Sequence, residues 1–163
     1  MSSQVLSEQT SLSVLVAWAR LLRAHAATTR ELSAQLQTDH GLTINDYEAL
    51  LHLSHAENAE MRRIDLAGKL LLTPSGVTRL LDGLEESGYV CKGTCPTDAR
   101  VTYAVLTDAG REKLQQASCS HVAAVTELFR VRFSDDELAM LAELLGRLPG
   151  ASDDGAACTP GPA

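Results

Sequence analysis

Ser75, Thr78, Arg79 and Asp82 stand at i, i+3, i+4 and i+7 in the middle of this chain. On a helix that spacing puts all four on one face. Two hydroxyls and one guanidinium, beside the small Gly76, suit the reading of base pairs. Arginine can donate two bonds to a guanine edge, and serine or threonine can bond a base or a phosphate. Thr73 is a helix-capping residue type, and the free N–H groups after a cap can hold a phosphate. Further on, Asp98 and Arg100 are two apart, so on a strand they point to the same side. The carboxylate can hold the guanidinium in one pose, suited to a narrow minor groove. Arg63 and Lys92 are the additional cations assigned to phosphate contacts.

The elements that must carry these residues follow from periodicity. From Ser11 to about Asp39, apolar residues between Leu12 and Leu36 form a helical stripe in a segment of nearly thirty residues, longer than a small core needs, which points to contact with a partner helix. His40 and Gly41 end it. Thr43, with Asp46 three residues on, starts a second helix carrying Tyr47, Leu50, Leu51 and Leu53. Residues 57–61 read as a polar linker. A short third helix runs from Arg63 to about Leu71. Thr73 caps the fourth, with Pro74 at its first position and Gly88 at its end, so the two make a helix-turn-helix. Tyr89–Lys92 and Arg100–Leu106 read as a two-stranded ribbon. A helix capped by Thr107 runs to about Phe133, and the capping box Ser134–Glu137 starts a last helix through Leu148. Residues 1–10 read as a flexible N-terminus, and 149–163 as a disordered tail.

Length and composition agree with one such domain. The chain has 163 residues, 45% hydrophobic and only 4% aromatic, so a core of Leu, Val and Ala is expected, which favours helices. The net charge of −7 is unusual for a nucleic-acid binder, but it is unevenly spread. Residues 61–113 hold eight Lys/Arg against seven Asp/Glu, and the rest hold six against fourteen, so the acidity lies outside the reader. The early apolar stretch is too short to span a membrane and is badly flanked for a signal peptide. The four cysteines show no disulfide or zinc-ribbon spacing and read as free thiols of a cytoplasmic protein. No phosphate loop, nucleophile elbow or metal-catalytic helix motif supports an enzyme. No cofactor and no metal site are expected: His40, Cys119 and His121 are the residues for a zinc ion, without ligand spacing.

Taken together, these runs resemble the MarR family of transcription regulators. The resemblance lies in Leu42-Thr43, Ile64 and Leu66-Ala67, Ser75 through Arg79, Leu84 through Val90, Asp98-x-Arg100 and Leu106-Thr-x-x-Gly110, and covers about residues 11–148. It implies a mainly α fold with a small two-stranded β-wing. The winged helix-turn-helix would occupy 42–107, flanked by dimerisation helices at 11–40 and 108–148. It further implies a homodimer on a pseudo-palindromic double-stranded DNA operator, with repression relieved by a small aromatic or phenolic ligand. Such ligands sit between the dimer helices and the reading head, which makes Trp18, His25, Tyr47 and His52 the expected lining. The family wing often carries an arginine where Ala99 stands here, so weaker wing anchoring is expected. Two alternatives stay open. One is a winged helix that binds protein rather than DNA. The other is control by oxidation of Cys91 and Cys95, four apart across the ribbon, whose only nearby cation before Arg100 is Lys92.

Overall fold

The computed structural model describes residues 2–94 and 101–150. Helix α1 (Ser2–His40) starts earlier than its apolar stripe, so the helix includes the stretch expected to be a flexible N-terminus. It stops where Gly41 takes a φ of +68°, a left-handed turn that glycine enters freely. The Leu42 N–H then reaches back to the Leu36 carbonyl at 3.4 Å, and both leucines are buried. Helix α2 (Ile44–His55) opens with a complete capping box: Asp46 N–H donates to the Thr43 hydroxyl, and Thr43 N–H donates to the Asp46 carboxylate at 2.8 Å. That pair satisfies two of the donors a helix start leaves without partners.

The segment expected to be a linker is instead structured. A single 3-10 turn at Glu57–Ala59, with Asn58 and Ala59 at positive φ, redirects the chain into strand β1 (Glu60–Arg62). Helix α3 (Arg63–Lys69) follows. At the turn into α4 (Pro74–Glu86), Leu71 takes a φ of +52° and is almost fully exposed, a conformation that costs a non-glycine residue roughly 1 kcal/mol. Strands β2 (Val90–Thr94) and β3 (Thr102–Leu106) pair antiparallel, and β1 adds to the far side of β3 with Met61 opposite Ala104. The ribbon is thus a three-stranded sheet in the order β1-β3-β2. On β3 the inward residues are Ala104 and Leu106, while Tyr103 and Val105 form the other, half-buried face, with Val101 just before the strand. Helices α5 (Asp108–Arg130) and α6 (Asp135–Gly146) complete the order.

The core lies between α2, α3, α4 and the inner face of the sheet, with Tyr47, Leu50, Leu53, Leu66, Leu81 and Val90 sealed from water. Helix α5 closes it with Leu114 and Ala117, and α1 packs along α5. Gly110 fixes the joint between sheet and α5. A Cβ there would stand 2.1 Å from the Tyr89 carbonyl oxygen, a position only hydrogen can share. Thr107 ties the same corner: its N–H donates to that carbonyl at 3.1 Å, and its hydroxyl donates to the Gly88 carbonyl at 2.7 Å. Among the described residues α6 buries none, and no helix is long and apolar enough to cross a membrane.

Candidate nucleic-acid interface

Helix α4 turns Val77, Leu81 and Leu84 into the core, which leaves Ser75, Thr78 and Arg79 exposed on the opposite side. Arg79 makes no ion pair with any described residue, so its five donors are available. Thr78 is partly committed, since its hydroxyl donates to the Pro74 carbonyl at 2.9 Å. The cap also consumes part of the expected anion cradle. The Gly76 N–H donates to the Thr73 hydroxyl at 3.1 Å, the Val77 N–H goes to the Thr73 carbonyl, and Pro74 has none. Ser75 N–H remains from the first turn. Gly76 is small for a reason: a Cβ would press to 3.2 Å from the capping oxygen.

Beside this face lies a groove of about 350 Å³ between α3, α4 and the start of β3, with Arg62, Arg63, Ile64, Pro74, Thr78 and Val101 among its walls. Arg62 is held by a two-pronged contact with Asp65, at 2.6 and 3.0 Å. The two cations assigned to phosphate are also engaged. Arg63 Nη2 lies 3.2 Å from Glu85 and 3.7 Å from Asp82, and Lys92 Nζ lies 2.8 Å from Glu85 and 4.0 Å from Asp82. Asp82 therefore belongs to this ion group as well as to the polar face. Asp98, Arg100 and Cys95 lie outside the described residues, while Cys91 is an exposed free thiol on β2.

The residues expected to line a ligand cleft do not share one environment. Trp18 is 57% exposed on α1, among Val14, Leu15, Val16 and Leu22, which are also exposed. His25 is exposed on α1 and His52 is half-buried on α2. His25 is close enough to act on Glu48 of α2, whose carboxyl is pushed above its ordinary range by burial, an effect the histidine opposes. Tyr47, only 2% exposed, is closed over by α5: its hydroxyl lies 3.1 Å from Ser118 Oγ and its ring 4.6 Å from that of His121. His121 is only 4% exposed, its Nδ1 has no hydrogen-bond partner among the described residues, and burial lowers its pKa. From the sequence it figures only in a zinc set that lacks ligand spacing and is not expected to form. The missed signal is its place on the buried stripe Leu114, Ala117, Ser118 and His121, at i, i+3, i+4 and i+7. His40 instead meets Ser120 at 2.7 Å, and among the described residues no cluster of three His, Cys, Asp or Glu is placed to hold a metal.

Comparison with known proteins bears on this geometry. The MarR family model matches residues 42–102, which span α2 to the start of β3. The HTH-type transcriptional regulator MhqR of Bacillus subtilis is 29% identical over 128 residues, covering 78% of this chain and 86% of that protein. Among solved structures, AbsC, a MarR family transcriptional regulator from Streptomyces coelicolor, is 33% identical with a TM-score of 0.72, covering 80% of this chain and 88% of AbsC. Sco3205, a MarR family regulator from the same organism solved in complex with DNA, is 29% identical with a TM-score of 0.74, covering 80% and 82% of the two chains.

Proposed function

This chain belongs to the MarR family of helix-turn-helix transcription regulators and is a DNA-binding regulator, and from that premise we propose that it acts as a dimeric repressor released by a small aromatic or phenolic ligand. In this reading α4 of each protomer enters the major groove of one half-site. Arg79 reads a base edge, Ser75 and Thr78 contact base or phosphate, and Thr73 with Gly76 sets the start of the helix. Arg100, steadied by Asp98, enters the flanking minor groove. The observation that carries the reading is the contrast among the described cations of this surface. Arg79 stands exposed and unpaired on the outward face of α4, while Arg62, Arg63 and Lys92 are already matched by acids.

Dimerisation through 11–40 and 108–148 is supported by the apolar side chains these helices leave exposed, from Val14 to Leu22 and from Met140 to Leu148. The ligand would lie between α1, α2 and α5, against His25 and His52, with Trp18 on the exposed face of α1 at one side and Tyr47 reached only if α5 gives way. It would act by changing the spacing of two reading heads that must match one helical turn, ~34–36 Å.

The test is a fluorescence-anisotropy titration on DNA from upstream of the protein's own gene, with a scrambled duplex as control. Arg79→Ala is expected to cost ~1–3 kcal/mol on the operator and clearly less on the scrambled duplex. Equal losses on the two would remove base reading from Arg79. Titration of the bound complex with aromatic carboxylates and phenols tests release, and operator affinity unchanged across that set would remove the ligand from the proposal.

A further inference from the structure

We infer that Glu85 is a positioning residue that holds the recognition helix and the ribbon at a fixed separation, with Arg63 and Lys92 as its two arms. The carboxylate is shared rather than paired: one oxygen takes Arg63 at 3.2 Å and the other takes Lys92 at 2.8 Å. Three elements therefore meet on one side chain, α3 through Arg63, α4 through Glu85 itself and β2 through Lys92. Asp82, one turn earlier, supports both cations at 3.7 and 4.0 Å. The Glu85 side chain is only 17% exposed, so its charge is largely withdrawn from water and depends on these partners.

Two cations balanced by two acids carry no net charge toward DNA. To reach a phosphate, Arg63 or Lys92 would have to give up an ion pair already formed, which sets them apart from Arg79. The joint acts on fit instead. A duplex presents its major groove and the adjacent minor groove at a set spacing, so a helix and ribbon free to shift against each other must be ordered, at a cost in entropy, before both grooves are engaged together. Sequence selectivity then depends on the Glu85 joint, whereas general attraction to phosphate follows the local net charge, which Glu85→Gln raises by one and Lys92→Gln lowers by one.

This inference rests on the reading of α4 and the ribbon as the two DNA-contacting elements. The test compares the full-length wild type with Glu85→Gln, Lys92→Gln, Lys92→Arg and the double Gln variant. The probes are the tightest duplex that the wild type selects from a random pool and a scrambled copy. Either single Gln change is expected to lower the ratio of selected to scrambled affinity about fivefold. Lys92→Arg, which keeps the cation, should hold the wild-type ratio, and the double variant should fall no further than the singles. A wild-type ratio in both Gln variants overturns the inference. So does a Lys92→Gln variant that loses equally on both duplexes while its salt slope shrinks by about 0.9, the mark of one lost phosphate contact. Wild-type protein without preference would defeat the underlying reading and the joint with it, whereas preference retained in Glu85→Gln defeats the joint alone. Thermal unfolding of each variant separates loss of fold, and Lys92, whose side chain is 54% exposed, supplies the variant least able to cause it.

Discussion

The reading head and the outer helices solve the burial problem in opposite ways. Between Leu42 and Leu106 nearly every large apolar side chain described finds a neighbour within the same chain, and the starts of α2 and α4 are capped by Thr43 and Thr73. Helix α1 sends one described side chain, Leu36, into that core, and α6 sends none. Both leave large apolar groups in water, including Leu15 and Trp18 on one and Met140 and Leu144 on the other. This much exposed apolar surface on two helices, beside a sealed centre, is what the proposed dimer would cover. On that proposal the head is a closed unit, and the ends are half of an interface. The seam between them is α5, where Tyr47, Ser118 and the buried His121 meet.

Three measurements would break or sharpen that contrast. The largest effect is expected from charging the outer faces. Leu15→Glu together with Leu144→Glu should convert the proposed dimer to a monomer in sedimentation. Operator affinity should then fall by roughly a thousandfold as two linked heads become one. A dimer that survives both substitutions would place the interface elsewhere.

Next comes the closure of the head. Gly110→Ala forces a methyl against the Tyr89 carbonyl and should destabilise the fold by ~3 kcal/mol, within the range of overpacked sites. Thermal unfolding checks it, and a loss under ~0.5 kcal/mol would show that the joint between sheet and α5 yields easily. The outer-face variant, by contrast, should keep the near-ultraviolet signature of a packed head.

The smallest effect concerns the seam. Burial holds the His121 imidazole below its ordinary pKa, so the folded protein resists a proton that the unfolded chain accepts. Its contribution to stability is complete above the unfolded value, about pH 6.5, and is lost as pH falls below that through the lowered folded value. Unfolding midpoints should therefore drop more steeply below about pH 6.5 in the wild type than in His121→Gln. Parallel profiles would show that this histidine does not couple to folding.

Much of the fold and part of the site were legible before any coordinates. The caps at Thr43, Thr73, Thr107 and Ser134, the stop at Gly41 and the polar face of α4 all stand where the sequence places them. Each depends on residues three or four apart, and such neighbours meet whenever the helix forms. The third strand was hidden because Glu60–Arg62 is short and mixed in polarity, and its partner β3 lies about forty residues away. The anion cradle after Thr73 looked more open than it is, since the cap that starts the helix also uses the Gly76 N–H.

The amino-acid sequence by itself determined the long helical segments, where the capped helices α2, α4, α5 and α6 begin and which face of α4 stays polar, because periodicity and capping act within one or two turns. Tertiary structure alone decided the companions of the buried and inter-element groups. Glu85 meets Arg63 from 22 residues away, and Tyr47 meets Ser118 from 71. Nothing in local spacing encodes such pairs. They form because the closed core brings α3, α4, β2 and α5 to fixed places, and a charge or a ring nitrogen withdrawn from water must then make do with the neighbours that packing supplies.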